Sequence, residues 1–203
     1  MIAEMISTLP VVLLLALGAP RASGAAPLVD AALAVPGLRI DLRYATAANL
    51  TGKPLYHSAR CLLRPEVAAA LASAQAALSK RGLGLLAWDC YRPLSAQRAL
   101  WRVYPHPGFV ANPRTGSNHN RGAAIDLTLV DAGGKPLTMP TPFDSFDPRA
   151  HQGATQGVSP EAQEHREILR QAMTAVGFTP IRKEWWHFDA AHALAYPLLD
   201  VPL

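Results

Sequence analysis

The sequence predicts an α+β fold in which an antiparallel sheet is flanked by helices. Three long segments that open at a proline have a helical composition, and the segments between them have the shorter apolar or alternating patterns of strands. The chain has 203 residues, of which 50% are hydrophobic and 17% are charged. These values indicate a single globular domain with a substantial core, and they exclude a disordered chain.

The first half of the chain is predicted to contain two strands with a helix between them. Apolar and polar residues alternate over Val35–Tyr44, which predicts a strand, and the polar segment 45–56 predicts a loop. A helix is predicted over Pro65–Arg81, because proline opens its first turn and Gly82 follows its end. Leu83–Cys90 is an apolar run of strand length.

The second half is predicted to contain two helices and three strands. A helix over Leu94–Val103 is bounded by prolines on both sides, and a third helix, Pro160–Val176, ends before a glycine. The Gly-, Pro- and Asn-rich segment 108–118 is predicted to be a loop, and segment 140–159 a long irregular connection of the kind that is often functional. The predicted strands are Ala123–Val130 and the hairpin pair Phe178–Ile181 and Trp185–Asp189.

The N-terminal segment has the pattern of an export signal. The apolar run Leu9–Leu17 is too short to span a bilayer, and small residues follow it. We therefore expect residues 1–25 to be a signal peptide and residues 26–203 to be the functional domain. The mature protein would be periplasmic or otherwise exported, without stable membrane insertion. An uncleaved anchor or a buried helix is the alternative, because Glu4 rather than a basic residue precedes the apolar run.

The formal net charge of +4 gives little information about partners. Removal of residues 1–25 would delete one acid, Glu4, and one base, Arg21, and would leave this charge unchanged. The sequence has no run of basic residues and no aromatic residues interleaved with them, so we expect no nucleic-acid partner. A mild positive charge suits anionic cell-wall fragments and is equally common in exported proteins. The sequence makes no prediction of the oligomeric state.

The two cysteines, Cys61 and Cys90, are expected to form a disulfide. One stands before the predicted helix 65–81, and the other stands at the end of the strand that follows this helix. Such an arrangement can bring the two Cα atoms within the ~4.4–6.8 Å that a disulfide requires, and exported proteins favour disulfides. Zinc ligation is the alternative, although the sequence has no CxxC motif.

Two short stretches contain the residues of a candidate catalytic metal site. The stretch Ser117–Asp126 includes His119 and Asp126, and the stretch Glu184–His187 adds a second imidazole and a second carboxylate. Three protein ligands with a fourth position left to water are typical of catalytic zinc, and a nearby carboxylate can accept the proton of that water. The pattern therefore predicts a zinc hydrolase with one Zn²⁺ per chain.

Simpler interpretations of these residues remain open. Asp126 could cap a loop, and Glu184 could be a surface charge. Glu184 and His187 share a face on a helix but not on a regular strand, so the site requires a turn or bulge near Glu184. Arg92 follows a predicted strand and could bind a carboxylate or a developing oxyanion, whereas a salt bridge to Asp89 is its alternative role.

With these motifs the chain resembles the zinc D-alanyl-D-alanine dipeptidases, a branch of the wider group of zinc D,D-carboxypeptidases. The metal signature, shared by the wider group, consists of SxHxxGxAxD at 117–126 and ExxH at 184–187. The segment WDxYRP at 88–93 also fits, and the segments 44–54 and 141–147 narrow the resemblance to the dipeptidase branch. The resemblance extends over roughly residues 38–192 and implies the hedgehog/DD-peptidase-like fold.

The resemblance also implies roles for individual residues. It implies Glu184 as catalytic base and Arg92 as the group that stabilises the tetrahedral species. Ser117 would help to fix the substrate carboxylate, and Asp144 would meet the free ammonium group. The implied zinc ligands are His119, Asp126 and His187. The connection 103–116 is shorter than is usual in the family, which leaves strict dipeptide specificity open.

The function implied is hydrolysis of the small-molecule partner D-Ala-D-Ala to two D-alanines in peptidoglycan metabolism. One alternative is a periplasmic zinc D,D-carboxypeptidase or endopeptidase that acts on longer stem peptides. Asp144 and the loop 140–147 discriminate between the two, because a closed cavity admits only a dipeptide. A non-catalytic metal-bearing module that binds wall peptides is disfavoured by the presence of Glu184 and Arg92. A serine hydrolase is disfavoured because GxSxG is absent from the sequence.

Overall fold

The structure is a computed structural model and describes residues 27–203. The predicted signal peptide, residues 1–25, lies outside the described residues. Within residues 27–203 no helix combines the length and the apolar character needed to cross a bilayer.

A five-stranded sheet forms the centre of the fold. The strands of the described chain are β1 (Val29–Asp30), β2 (Arg39–Ile40), β3 (Leu62–Leu63), β4 (Leu83–Asp89), β5 (Ala124–Asp131), β6 (Thr179–Pro180) and β7 (His187–Asp189). The large sheet has the order β2-β4-β5-β7-β6, and its neighbouring strands are antiparallel except for the parallel pair β2 and β4. Strands β1 and β3 form a separate antiparallel pair.

The helices flank the large sheet, which confirms the predicted α+β class. They are α1 (Ala31–Ala34), α2 (Pro65–Ser79), α3 (Leu94–Val103) and α4 (Pro160–Thr174). Helix α2 contacts α4 and β4, and α4 also contacts β5. A proline opens α2 and α4, at a position where its missing N–H costs no hydrogen bond. Ser159 caps α4 by accepting a hydrogen bond from the backbone N–H of Ala162.

The strand predicted over Val35–Tyr44 is wrong for most of its length. Only Arg39–Ile40 pairs in the sheet, and its partner is β4. Gly37 turns the chain after Val35 with a φ of +85°, in the region that favours glycine. A 3₁₀ turn, Arg43–Ala45, then buries Tyr44. The alternating pattern therefore arises because side chains of turns, as well as those of a strand, are buried in this segment.

The hairpin predicted near the C-terminus is present, but its strands are shorter. Strands β6 and β7 pair antiparallel, and β7 begins at His187 rather than at Trp185. Trp185 and Trp186 lie in the turn before β7, where both are buried, and the indole N–H of Trp185 donates to Thr141 Oγ1 at 3.0 Å. Their aromatic composition therefore reflects packing in the core. Glu184 directly precedes this turn, so the chain between Glu184 and His187 is not a regular strand, as the ExxH spacing requires.

The disulfide predicted between Cys61 and Cys90 is confirmed, with the two Cα atoms 5.2 Å apart. Cys61 directly precedes β3, Cys90 directly follows β4, and both are buried. The bond therefore joins the second, smaller sheet to the end of a central strand.

Candidate active site

Three elements bring His119, Asp126 and His187 together. The 3₁₀ turn His119–Arg121 carries the first, and strands β5 and β7 carry the others, which face each other directly in the register of the sheet. The turn ends at Gly122, which has a φ of +67°. This φ lies in the left-handed region that favours glycine, and a Cβ here would in addition displace the tip of the Leu28 side chain, 2.5 Å away.

These three residues could hold a metal ion. His119 Nε2 lies 3.1 Å from His187 Nδ1 and 3.3 Å from Asp126 Oδ1, and His187 Nδ1 lies 2.9 Å from the same carboxylate oxygen. Zinc bonds of about 2.0–2.1 Å in a tetrahedral site place neighbouring ligand atoms about 3.3 Å apart. The three atoms are thus close to the spacing of three corners of such a site, and the three residues are buried.

The contacts of the other nitrogen on each histidine ring fix how the two rings are oriented toward the cluster. His119 Nδ1 lies 2.7 Å from the backbone carbonyl oxygen of Cys90, and His187 Nε2 lies 3.0 Å from Asp189 Oδ1. A carbonyl oxygen only accepts, so His119 Nδ1 carries the proton and Nε2 presents a lone pair. The Asp189 carboxylate likewise accepts a hydrogen bond from His187 Nε2 and fixes the orientation of that ring. Each ring therefore turns one nitrogen toward Asp126, and a bound cation would take the place of the proton that His187 Nδ1 shares with Asp126 Oδ1.

Glu184 lies beside this cluster without being part of it. Its Oε2 atom is 3.9 Å from His187 Nδ1, and the side chain lines the same cavity. Burial raises the pKa of Glu184 to about 7, and the charge of Asp126 acts in the same direction. A carboxyl group with such a pKa can both accept and return a proton near neutral pH.

Arg92 makes the salt bridge to Asp89 and also lines the cavity. Its Nε and Nη2 atoms donate to Asp89 Oδ2 at 2.9 and 2.6 Å, and Nη1 donates to Gln97 Oε1 at 2.8 Å. Nη2 lies 4.0 Å from Asp126 Oδ2, which places the guanidinium next to the metal-ligand cluster. The three hydrogen bonds use three of the five N–H groups that an arginine offers, so the fixed guanidinium keeps donors for a further acceptor.

Two carboxylates at the site were not predicted from the sequence. Asp89 is fully buried, accepts a hydrogen bond from the Tyr56 hydroxyl at 2.6 Å and lies 3.5 Å from His119 Nδ1. Asp189 supports His187, as described above. The spacing of two residues from His187 could have indicated Asp189, because such residues lie on one side of a strand. From the sequence, Asp89 is expected only as an alternative partner of Arg92.

Ser117 and Asp144 both line the cavity, on opposite sequence flanks of β5. The hydroxyl oxygen of Ser117 accepts a hydrogen bond from the backbone N–H of His119 at 3.2 Å. Asp144 accepts one from the Tyr44 hydroxyl at 2.9 Å and has a φ of +58°, which aspartate tolerates better than most residues. Burial raises the pKa of Asp144 to about 8, and the charge of Asp126 adds to this effect.

The cavity has a volume of about 300 Å³, and the loop 140–147 forms one of its walls through Asp144, Ser145 and Phe146. Aromatic packing holds this loop in place. The ring of Phe143 lies 5.1 Å from that of Trp88 and 5.5 Å from that of Trp186. Phe146 stacks at 4.5 Å on Tyr104, in the connection 103–116. The two loops together therefore narrow the cavity.

Comparisons with known proteins place the chain in a family. The family model described as D-ala-D-ala dipeptidase matches residues 24–201. A D-alanyl-D-alanine dipeptidase of Escherichia coli is 46% identical over 172 residues, which cover 85% of this chain and 89% of the relative. Proteins of the same name from Enterococcus faecalis and Streptomyces coelicolor are 36% and 37% identical, with 82% and 76% of this chain and 88% and 86% of the relatives covered. The chain therefore belongs to the D-Ala-D-Ala dipeptidase family of peptidases.

Proposed function

We propose that this protein is a zinc-dependent dipeptidase that hydrolyses D-Ala-D-Ala to two D-alanines in peptidoglycan metabolism. One observation carries the proposal: the three candidate ligands, the unligated Glu184 and the carboxylate of Asp144 all line one small cavity. Two imidazoles and a carboxylate are ligands typical of catalytic zinc, and a separate carboxylate can act as the base. The names of the relatives supply the substrate.

His119, Asp126 and His187 would hold the zinc, and the bound ion would lower the pKa of water and polarise the peptide carbonyl. The carboxylate of Glu184 would accept a proton from the attacking water and return it to the amine nitrogen of the leaving D-alanine. Arg92, fixed by Asp89, would donate its remaining N–H groups to the carbonyl oxygen as negative charge develops there.

The two ends of a dipeptide carry opposite charges, and the protein would have to bind both. Asp144 would bind the free ammonium group, and substrate binding would stabilise its ionised form. Ser117 would donate a hydrogen bond to the substrate carboxylate. With the ammonium group at Asp144, the loop 140–147 would block the continuation of a longer peptide, which supports a dipeptide over a stem peptide as the substrate. The narrow cavity supports the same choice despite the short connection 103–116.

We also propose that the protein is exported after loss of residues 1–25. The buried disulfide supports this location, because the cytosol of most organisms keeps thiols reduced. Analysis of the mature N-terminus in a periplasmic fraction would test the cleavage site. A full-length chain in the cytoplasmic fraction would contradict export and leave the proposed chemistry unaffected.

The test of the activity is alanine release from D-Ala-D-Ala by the purified, zinc-loaded protein. A pentapeptide that ends in D-Ala-D-Ala and the Glu184→Ala variant should be assayed in parallel. We expect hydrolysis of the dipeptide alone, with loss of the activity in the variant. Hydrolysis of the pentapeptide instead would indicate a D,D-carboxypeptidase with the same site. Stoichiometric metal without hydrolysis of either peptide would indicate a binding module.

A further inference from the structure

We propose that the Cys61–Cys90 disulfide is a positioning element for His119, so that its formation tightens metal binding. The inference concerns the proposed metal site and does not depend on the identity of the substrate. It assigns to the disulfide a role in the site in addition to its contribution to folding.

The link from the disulfide to the metal ligand is one backbone carbonyl. Cys90 contributes its sulfur to the disulfide and its carbonyl oxygen to the hydrogen bond from His119 Nδ1, at 2.7 Å. This bond fixes the tautomer and the orientation of the ring, and thereby directs Nε2 at Asp126 and His187. Displacement of Cys90 would therefore alter the position of a ligand atom.

The segment that carries this carbonyl is held on the side of the small sheet by the disulfide and by one backbone hydrogen bond from Tyr91. On its other side, Arg92 donates from its backbone N–H to the His119 carbonyl and accepts from the Asn120 side chain. Cys90 follows the last residue of β4, beyond the paired part of that strand. The backbone N–H of Tyr91 donates to Leu62 at 2.9 Å, next to Cys61, and the N–H of Ala31 donates to the carbonyl oxygen of Cys61 at 2.7 Å. The disulfide thus ties the segment after β4 to the small sheet at the residue whose carbonyl oxygen binds His119.

Asp89 is the nearest alternative acceptor for the proton on His119 Nδ1, but it is too far away for a good hydrogen bond. Asp89 Oδ2 lies 3.5 Å from His119 Nδ1, beyond a good hydrogen bond, and it already accepts two hydrogen bonds from Arg92. Loss of the Cys90 carbonyl from its position would leave His119 without its second hydrogen bond or would draw the ring toward Asp89. Either change moves Nε2 away from the convergent geometry of the ligand cluster.

The first test compares zinc affinities by competition with a coloured chelator. The variant Cys61→Val/Cys90→Ala removes the bond and roughly refills the volume of the sulfurs. The control Leu78→Ala removes a buried side chain from the last turn of α2, outside the cavity. We expect zinc affinity to fall at least about tenfold in the cysteine variant, as for loss of a partner that orients a ligand, and less than about twofold in the control.

A folded cysteine variant with wild-type zinc affinity would overturn the inference. Equal losses in both variants would also overturn it, because general destabilisation would then explain the result. A wild-type protein that binds no zinc would overturn the proposed function and this inference with it.

A second measurement uses the wild-type protein and remains valid if the variant does not fold. In a glutathione buffer, two glutathione thiols reduce the disulfide to two cysteine thiols and yield one oxidised glutathione. If the disulfide tightens zinc binding tenfold, zinc must favour the disulfide by the same factor. The midpoint potential of the disulfide should then be about 30 mV more negative in the zinc-loaded protein than in the metal-free protein. Equal potentials would refute the coupling.

Discussion

The substitution Asp144→Asn should remove a pH dependence of stability that a single buried carboxyl group imposes on the metal-free protein. Burial raises the pKa of Asp144 from 3.8 to about 8, so the folded protein keeps this proton at pH values where the unfolded chain has lost it. The stabilisation is complete below pH 3.8 and is lost progressively as the pH rises toward 8. Asparagine also tolerates the positive φ and can accept the Tyr44 hydrogen bond.

The size of the effect follows from this pKa. Between the two pKa values each pH unit costs the folded state about 1.36 kcal/mol relative to the unfolded state. From pH 5 to pH 7 the wild type should lose roughly 3 kcal/mol of unfolding free energy relative to the Asn variant. The remaining titrating groups are common to both proteins, so their contributions cancel in this difference except where they interact with Asp144 itself.

Urea unfolding of EDTA-treated wild type and variant at pH 5, 6 and 7 would measure this difference. Tyr44→Phe provides a second comparison, because the Tyr44 hydroxyl lowers the pKa of Asp144 by its hydrogen bond. The decline in stability should then extend to a higher pH than in the wild type. Parallel stability profiles for wild type and Asp144→Asn would refute the reasoning, since Asp144 would then titrate alike in both states.

Three further predictions concern the activity and the metal. Glu184→Gln should lower kcat by about 10²- to 10⁴-fold because the proton acceptor is lost, with zinc affinity within a few-fold of wild type; unchanged kcat in steady-state assays would exclude Glu184 as the base. Asp189→Asn should weaken zinc binding about 10–100-fold by releasing the ring of His187, and unaltered affinity in chelator competition would show that this contact is dispensable. Phe146→Ala should open the cavity and shift the kcat/KM ratio about tenfold or more from D-Ala-D-Ala toward a pentapeptide; an unchanged ratio would show that this wall does not select for length.

The helices were predictable because local chemistry sets their ends. Leu94–Val103 has the predicted bounds, and the helices that open at Pro65 and Pro160 end within two residues of the prediction. The prediction of a strand over Val35–Tyr44 was wrong because burial of alternate side chains can also occur in turns. Tyr44 is buried there by a turn and by packing against distant side chains, which the local sequence does not encode.

The candidate site was predictable where its residues share a motif. His119, Asp126 and His187 do lie together, because β5 and β7 pair in a register that places two of them opposite each other. The supporting contacts depend on tertiary structure. The acceptor for His119 is a backbone carbonyl 29 residues away, and because every residue has a backbone carbonyl, the sequence cannot indicate which one is used. The pairing of Arg92 with Gln97 depends likewise on how α3 leaves the sheet.

The loop 140–147 has a consequence for how this type of protein can diversify. The candidate ligands lie on the sheet and on a turn beside it, whereas Asp144 and Phe146 are carried by a surface connection that is anchored through Phe143. In the proposed function, recognition of the ammonium end is thus encoded in a part of the chain separate from the candidate metal ligands. Exchange of one short connection could give a different substrate range while the hydrolytic machinery is inherited intact.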